Sequence, residues 1–178
     1  MCGFTFQHSA PETQGVPSGA VSEWVRLISE LDTVHSFMLM RHDKIIAQAW
    51  WSPCRPEYKH ELFSLSKSFT SAAIGIAQAE GCLRIDDRLA GFFPEKISAA
   101  VSERMKRVTL RHLLTMSSGH ETCPMSELRP RRDWVKGFLE SSLAFEPGTR
   151  FVYNSAATYM LASVIRRTTG QNVLDYLQ

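Results

Sequence analysis

The hydrophobic pattern changes period part-way along the chain. Trp24, Val25, Leu27, Ile28 and Leu31 recur at three-to-four spacing after Ser22, which predicts a helix with Ser22 as its N-cap. Two apolar runs follow, residues 36–40 and 45–51, separated by Arg41-His42-Asp43-Lys44, and this is the pattern of a β-hairpin. Pro53 and Pro56 cannot continue a central strand, so the chain leaves the sheet there in a loop. Beyond residue 60 the period is helical. Phe69, Ala72, Ala73, Ile76 and Ala77 share a face until Gly81, and Thr109 caps a helix over residues 110–116 that Ser117-Ser118-Gly119 stops. After the turn at Pro147-Gly148, a helix over about residues 155–169 presents Tyr159, Ala162, Ile165 and Arg166 before Gly170. Residues 1–20 read as irregular, and no strand pattern returns before Gln178. The expectation is an α+β chain: helix plus hairpin in residues 1–60, and a mostly helical subdomain in residues 61–178.

Composition narrows the partners. At 178 residues and 44% hydrophobic, the chain is long enough for one packed core or two small lobes sharing one. Twenty basic and 18 acidic residues are scattered apart from Arg129-Pro130-Arg131-Arg132, so no phosphate-tracking stripe forms and nucleic acid is not an expected partner. The cysteines at 2, 54, 82 and 123 are too far apart in sequence for a zinc or redox pair and read as free thiols; the six histidines show no metal spacing either. No metal and no cofactor are expected. Met1-Cys2-Gly3-Phe4-Thr5 is not a basic start before an apolar run, and no apolar stretch reaches membrane-spanning length, so the expected compartment is the reducing cytoplasm, without a membrane partner. His112 reads as a structural group of its helix. His60 and His120 are weighed as substrate contacts, the weaker reading for each, and Trp50, Trp51 and Trp134 as packing residues.

The candidate chemistry begins at Ser64-Leu65-Ser66-Lys67, an S-x-x-K at a predicted helix start. On a helix, positions i and i+3 share a face about 4.5 Å apart along the axis, so the lysine amine reaches the serine hydroxyl. A serine hydroxyl needs such a neighbour to become a nucleophile, and free backbone N–H groups at a helix start suit the charge that grows on a carbonyl oxygen under attack. In a chain with 19 serines and 6 lysines, the pair alone arises readily by chance. A second element, Tyr153-Asn154-Ser155, precedes the 155–169 helix; a phenol beside cations can shuttle a proton, though a tyrosine before a helix is more often a packing residue.

Four stretches taken together carry a family resemblance. Leu62-Phe63-Ser64-Leu65-Ser66-Lys67-Ser68-Phe69-Thr70-Ser71 resembles the nucleophile segment of class C β-lactamases, their esterase relatives and D-alanyl-D-alanine carboxypeptidases. Gly81-Cys82-Leu83-Arg84-Ile85-Asp86-Asp87 resembles the turn that follows, residues 109–119 its helix-and-loop hallmark, and residues 145–155 the segment bearing the family's tyrosine. The resemblance runs from about residue 33 to the end. It implies a β-lactamase/DD-peptidase-like fold, an antiparallel sheet with flanking helices plus a mostly helical subdomain. It also implies Ser64 as nucleophile, Lys67 as its partner, Tyr153 as general acid/base, and Ser155 at the third, substrate-binding position of the tyrosine motif, where asparagine is commoner. The S-D-N companion of class A enzymes and the G-x-S-x-G signature are absent.

The family's third motif, K-T-G or H-x-G on a strand, is also absent; the nearest string is Thr168-Thr169-Gly170 at a helix end. Family members run to roughly twice this length, so the chain is expected to be truncated, with the C-terminal strands missing. The implied function is a serine hydrolase forming an acyl-enzyme on Ser64 with ester, amide or β-lactam substrates. The alternative is a catalytically impaired fragment or non-catalytic binding module on the same scaffold. The missing strand, which in the family carries an oxyanion donor, predicts low activity, and a hairpin with an open edge predicts self-association through that edge.

Overall fold

The computed structural model describes residues 5–178. Cys2, and the N-terminal stretch read for a leader up to Phe4, lie outside the described residues. The chain divides into two compact units, Met1–Glu61 and Leu62–Gln178.

In the first unit, β1 (Gln7–His8) leads through a short 3-10 turn to α1 (Ser18–Ser29), then β2 (Ser36–Arg41) and β3 (Lys44–Trp50). β2 and β3 form the expected hairpin. His42 and Asp43 both have positive φ, 48° and 60°, the two-residue turn whose twist matches that of the strands it joins. The sheet differs from a bare hairpin in having a third strand: β1 pairs parallel with β3 at Lys44 and Ile45, giving the order β1-β3-β2. Two residues are too few for any period, which is why residues 1–20 read as irregular. Helix α1 starts four residues before Ser22, because Glu12 Oε1 accepts from the Ser18 N–H at 2.9 Å and Pro17 supplies the extended residue ahead of the first turn. Packing is thin. Phe37 meets Trp24 edge-on at 4.7 Å and Trp51 at 5.9 Å, Ile45 and Ile46 are buried, and no residue of α1 is buried.

In the second unit, a 3-10 turn over Phe63–Leu65 runs into α2 (Ser66–Ala79), followed by α3 (Leu110–Leu114), α4 (Met125–Leu128), α5 (Trp134–Leu139), α6 (Ser155–Thr169) and α7 (Val173–Tyr176). α6 is the central element, packed on α2, α3 and α5. It buries Ala156, Ala157, Met160, Leu161, Val164 and Ile165, and α2 answers with Ala73, Ile74 and Ala77; the alanines on both helices let the backbones approach closely. Asn154 caps α6 by accepting from the Ala157 N–H at 3.1 Å, and Gly170 closes it with φ 77°. α3 stops two residues short of the predicted end because Met116 takes φ 54°, a left-handed conformation that turns the chain. α4, α5 and α7 have four to six residues, less than two turns, so no periodicity announced them.

Candidate active site

Ser64 lies in the 3-10 turn ahead of α2, and Lys67 in the first turn of the helix itself. The turn is held by the Leu65 N–H donating to the Leu62 carbonyl at 2.9 Å and by the Ser66 hydroxyl donating to the Phe63 carbonyl at 2.6 Å. Phe63 has φ 45°, a region that costs a bulky side chain on the order of 1–3 kcal/mol and that clusters at functional sites. Lys67 Nζ donates to Ser64 Oγ at 3.0 Å. The Tyr153 hydroxyl donates to the same oxygen at 2.7 Å although 89 residues separate the two in sequence. Lys67 Nζ also stands 5.2 Å from the centre of the Tyr153 ring. Ser64 is exposed, Lys67 half-buried, and Tyr153 50% exposed, so the hydroxyl is open to an incoming molecule.

Tyr153 is delivered by a laced loop. The Val152 N–H donates to the Met116 carbonyl at 2.8 Å, the Gly148 N–H to the Ser117 carbonyl at 2.7 Å, and the Phe145 N–H to the Gly119 carbonyl at 2.9 Å. Gly119 has φ 97°, and a Cβ there would stand 2.5 Å from the Phe145 carbonyl oxygen, so only glycine allows this approach. Glu146 ties the same loop to Arg104 (2.8 Å) and Arg107 (2.6 Å). The turn over residues 81–87 does comparable work for α3: Asp86 takes the Arg111 guanidinium at 2.7 Å and the Asp87 carbonyl accepts from the Leu110 N–H at 3.1 Å. His112 completes a capping box with Thr109, a structural role within its helix.

Asn154 is the residue the sequence reading passed over. It is fully buried; its Nδ2 donates to Ser118 Oγ and approaches His120 Nδ1, both at 3.4 Å, while its Oδ1 takes the Ala157 N–H. His120 is buried, hydrogen-bonded to Ser118 Oγ at 2.9 Å and to Ser141 Oγ at 2.7 Å, and burial pulls its pKa down to about 4. Among the described residues no buried side-chain polar atom lacks a partner. The network anchors the residue that directly follows Tyr153. An asparagine directly before a helical run was the available signal.

The surroundings of Tyr153 make its phenol more acidic than a free one. Hydrogen bonding to Ser64, then to Lys67, holds the phenol below the usual tyrosine range, with the Lys67 charge and the Ser155 hydroxyl adding to it. Ser155 is thus near enough to act on the phenol. His120 is buried and lines a cavity of ≈ 270 Å³ with Glu121, Pro124 and Ser141, a cavity that Ser64, Lys67 and Tyr153 do not line. His60 belongs to the other unit and pairs with His35.

Comparison with known proteins gives this geometry its family. Residues 24–178 match the Beta-lactamase family model. A penicillin-binding protein of Bacillus subtilis (strain 168) is 25% identical over 136 residues, covering 71% of this chain and 29% of its own length. Among solved structures, a class C beta-lactamase mutant superposes with a TM-score of 0.71 at 19% identity, covering 90% of this chain and 46% of that one. EstCE1, a hydrolase with promiscuous acyltransferase activity, superposes with a TM-score of 0.64 at 18% identity, covering 89% and 49%. The chain therefore spans less than half the length of these relatives. With residues 24–178 matched, the chain belongs to the beta-lactamase family, with that family's hydrolase fold.

Proposed function

We propose that the chain carries the acylating machinery of a serine hydrolase acting on small ester, amide or β-lactam substrates. The observation that carries this reading is one oxygen, Ser64 Oγ, held at 3.0 Å from an amine and 2.7 Å from a phenol. With Tyr153 as phenolate, the Ser64 proton passes to the phenol oxygen as Oγ bonds to the substrate carbonyl carbon. The phenol then returns that proton to the departing alcohol or amine. Lys67 donates to Ser64 Oγ and, through its hydrogen bond and charge, favours the ionised phenol. A water, deprotonated by Tyr153, then bonds to the acyl carbon; the Oγ–carbon bond breaks and the phenol returns the proton to Ser64 Oγ. Ser155, at the position the resemblance assigns to substrate binding, adds a hydrogen bond that favours the ionised phenol.

Incubation with a fluorophosphonate should give one adduct by mass spectrometry that disappears in Ser64→Ala, with ester turnover falling at least about 10³-fold. Tyr153→Phe should lose about 10²–10⁴-fold in acylation. An adduct that survives Ser64→Ala overturns the reading. The alternative, a scaffold without turnover, is favoured by the absence of K-T-G and H-x-G from these 178 residues, because losing one oxyanion donor costs about 10²–10³ in turnover. It predicts no wild-type adduct at all.

We further propose that a second copy pairs along β2, an edge strand whose Met38 and Met40 are exposed. Sedimentation should then show concentration-dependent association that Met38→Lys weakens; a monodisperse monomer at all concentrations excludes it. A cytoplasmic setting suits free Cys54, Cys82 and Cys123. Among the described residues no helix is long and apolar enough to cross a membrane.

A further inference from the structure

The spacing of cysteines and histidines along the chain predicts no metal centre, yet the fold of the first unit gathers three soft donors. His35, one residue before β2, and Cys54 and His60, in the proline-containing loop after β3, place one ligand atom each within 4.8 Å of one another. We propose that His35, Cys54 and His60 form a zinc-type cation site, a tripod of two imidazoles and a thiolate with the fourth position open to water or an anion.

The geometry is close to what such an ion needs. Tetrahedral zinc holds nitrogen at about 2.0–2.1 Å and sulfur at about 2.3 Å, which sets its ligand atoms about 3.4–3.6 Å apart. His35 Nδ1 and His60 Nε2 stand 2.8 Å apart, so admitting the ion parts the rings by roughly half an ångström. Cys54 is half-buried and both histidines are exposed, so the rings have room to move. The tautomer of one ring is already set: His60 Nδ1 lies 3.0 Å from the Glu61 carbonyl, which can only accept, so Nδ1 carries the hydrogen and Nε2 presents its lone pair. A backbone carbonyl orienting a histidine through its far nitrogen is the usual support of a metal-bound imidazole. His35 Nδ1 then donates to His60 Nε2 in the metal-free protein. On binding, His35 moves its proton to Nε2 and turns a lone pair to the ion, Cys54 loses its thiol proton to solvent, and one proton is released per ion.

Cys54 and His60 line a pocket of ≈ 330 Å³ with Trp50, Tyr58, Arg55 and Lys59. Two cations in the wall oppose a bare dication, and the thiolate offsets one of them. The same cations favour an anion, such as a carboxylate, as fourth ligand. This separates the site from a fully closed structural centre, which carries four protein ligands.

Cobalt(II) titration of the full chain tests the assignment without reference to hydrolysis. One equivalent should bind with a thiolate-to-cobalt charge-transfer band and tetrahedral visible absorption, and zinc should displace it with release of one proton. Cys54→Ser should abolish the charge-transfer band, and His60→Gln should weaken zinc binding by at least about 10–100-fold, the range for losing even an outer-shell partner. Cys82→Ser and Cys123→Ser should leave both unchanged. Circular dichroism of the Cys54→Ser and His60→Gln variants checks that they fold, and slower amide exchange in residues 52–61 on adding zinc to wild type reports binding there without any substitution. A band that persists in Cys54→Ser, a band lost in Cys82→Ser, or no zinc effect on residues 52–61 overturns the proposal.

Discussion

The two units of this chain are stabilised in different ways. Leu62–Gln178 buries a continuous cluster in which Phe138, Leu110, Met160 and Val164 have no exposed surface, and it satisfies every described buried polar side chain. Met1–Glu61 buries only Ile45 and Ile46 among its described apolar side chains, leaves Leu27 48% and Met38 49% exposed, and relies on a three-aromatic contact and a small sheet. On that core the second unit holds, by hydrogen bonds, the left-handed turn at Phe63 and the loop that brings Tyr153 onto Ser64 from 89 residues away. A thinly packed unit cannot hold polar groups so rigidly, and the His35–Cys54–His60 cluster is correspondingly exposed and adjustable.

The sharpest test of this contrast is a pair of truncations. Leu113→Ala should destabilise the chain by about 2–5 kcal/mol in urea unfolding, the range for a fully buried leucine, while Leu27→Ala should stay within about 0.5 kcal/mol. Equal effects would mean the first unit packs as tightly as the second. Acid should act next most strongly. The His120 pKa is about 4 in the folded chain against 6.5 for the free group, lowered by desolvation. The unfolded chain therefore binds more protons between those values, and stability present above pH 6.5 is lost as pH falls toward 4. The loss is on the order of 3 kcal/mol, and His112, also lowered first by desolvation, adds in the same direction. His120→Gln should flatten that part of the pH profile; an unchanged profile would remove His120 as its source. The smallest of these effects belongs to Asn154→Ala, about 1–3 kcal/mol for the lost cap and the stranded partners, Ser118 and His120. It should also slow acylation of Ser64, through looser placement of Tyr153 rather than loss of a reacting group. Asn154→Asp, which keeps the cap acceptor, should recover more stability than rate.

Much of this was legible in the chain itself. The hairpin, α2 and α6 were visible because each is long enough to complete its period and is closed by a recognisable residue: the polar break at 41–44, Gly81, and Gly170. The short elements were not, because four to six residues set no periodicity and β1 owes its existence to a neighbour it meets only in the folded state. Ser64 and Lys67 were readable as a pair because three residues separate them within one helical turn. Asn154 escaped because its burial beside His120 depends on the packing of α6 rather than on anything local.

What the sequence by itself determined is local: the helix faces, the hairpin, the serine–lysine spacing, and the four stretches that place the chain in its family. What only the tertiary structure decided is convergence: Tyr153 on Ser64, Asn154 on His120 and Ser118, and His35 on Cys54 and His60. Local periodicity follows from backbone geometry and so is written along the chain, whereas contacts between distant residues arise only once burial and loop closure have chosen which segments meet.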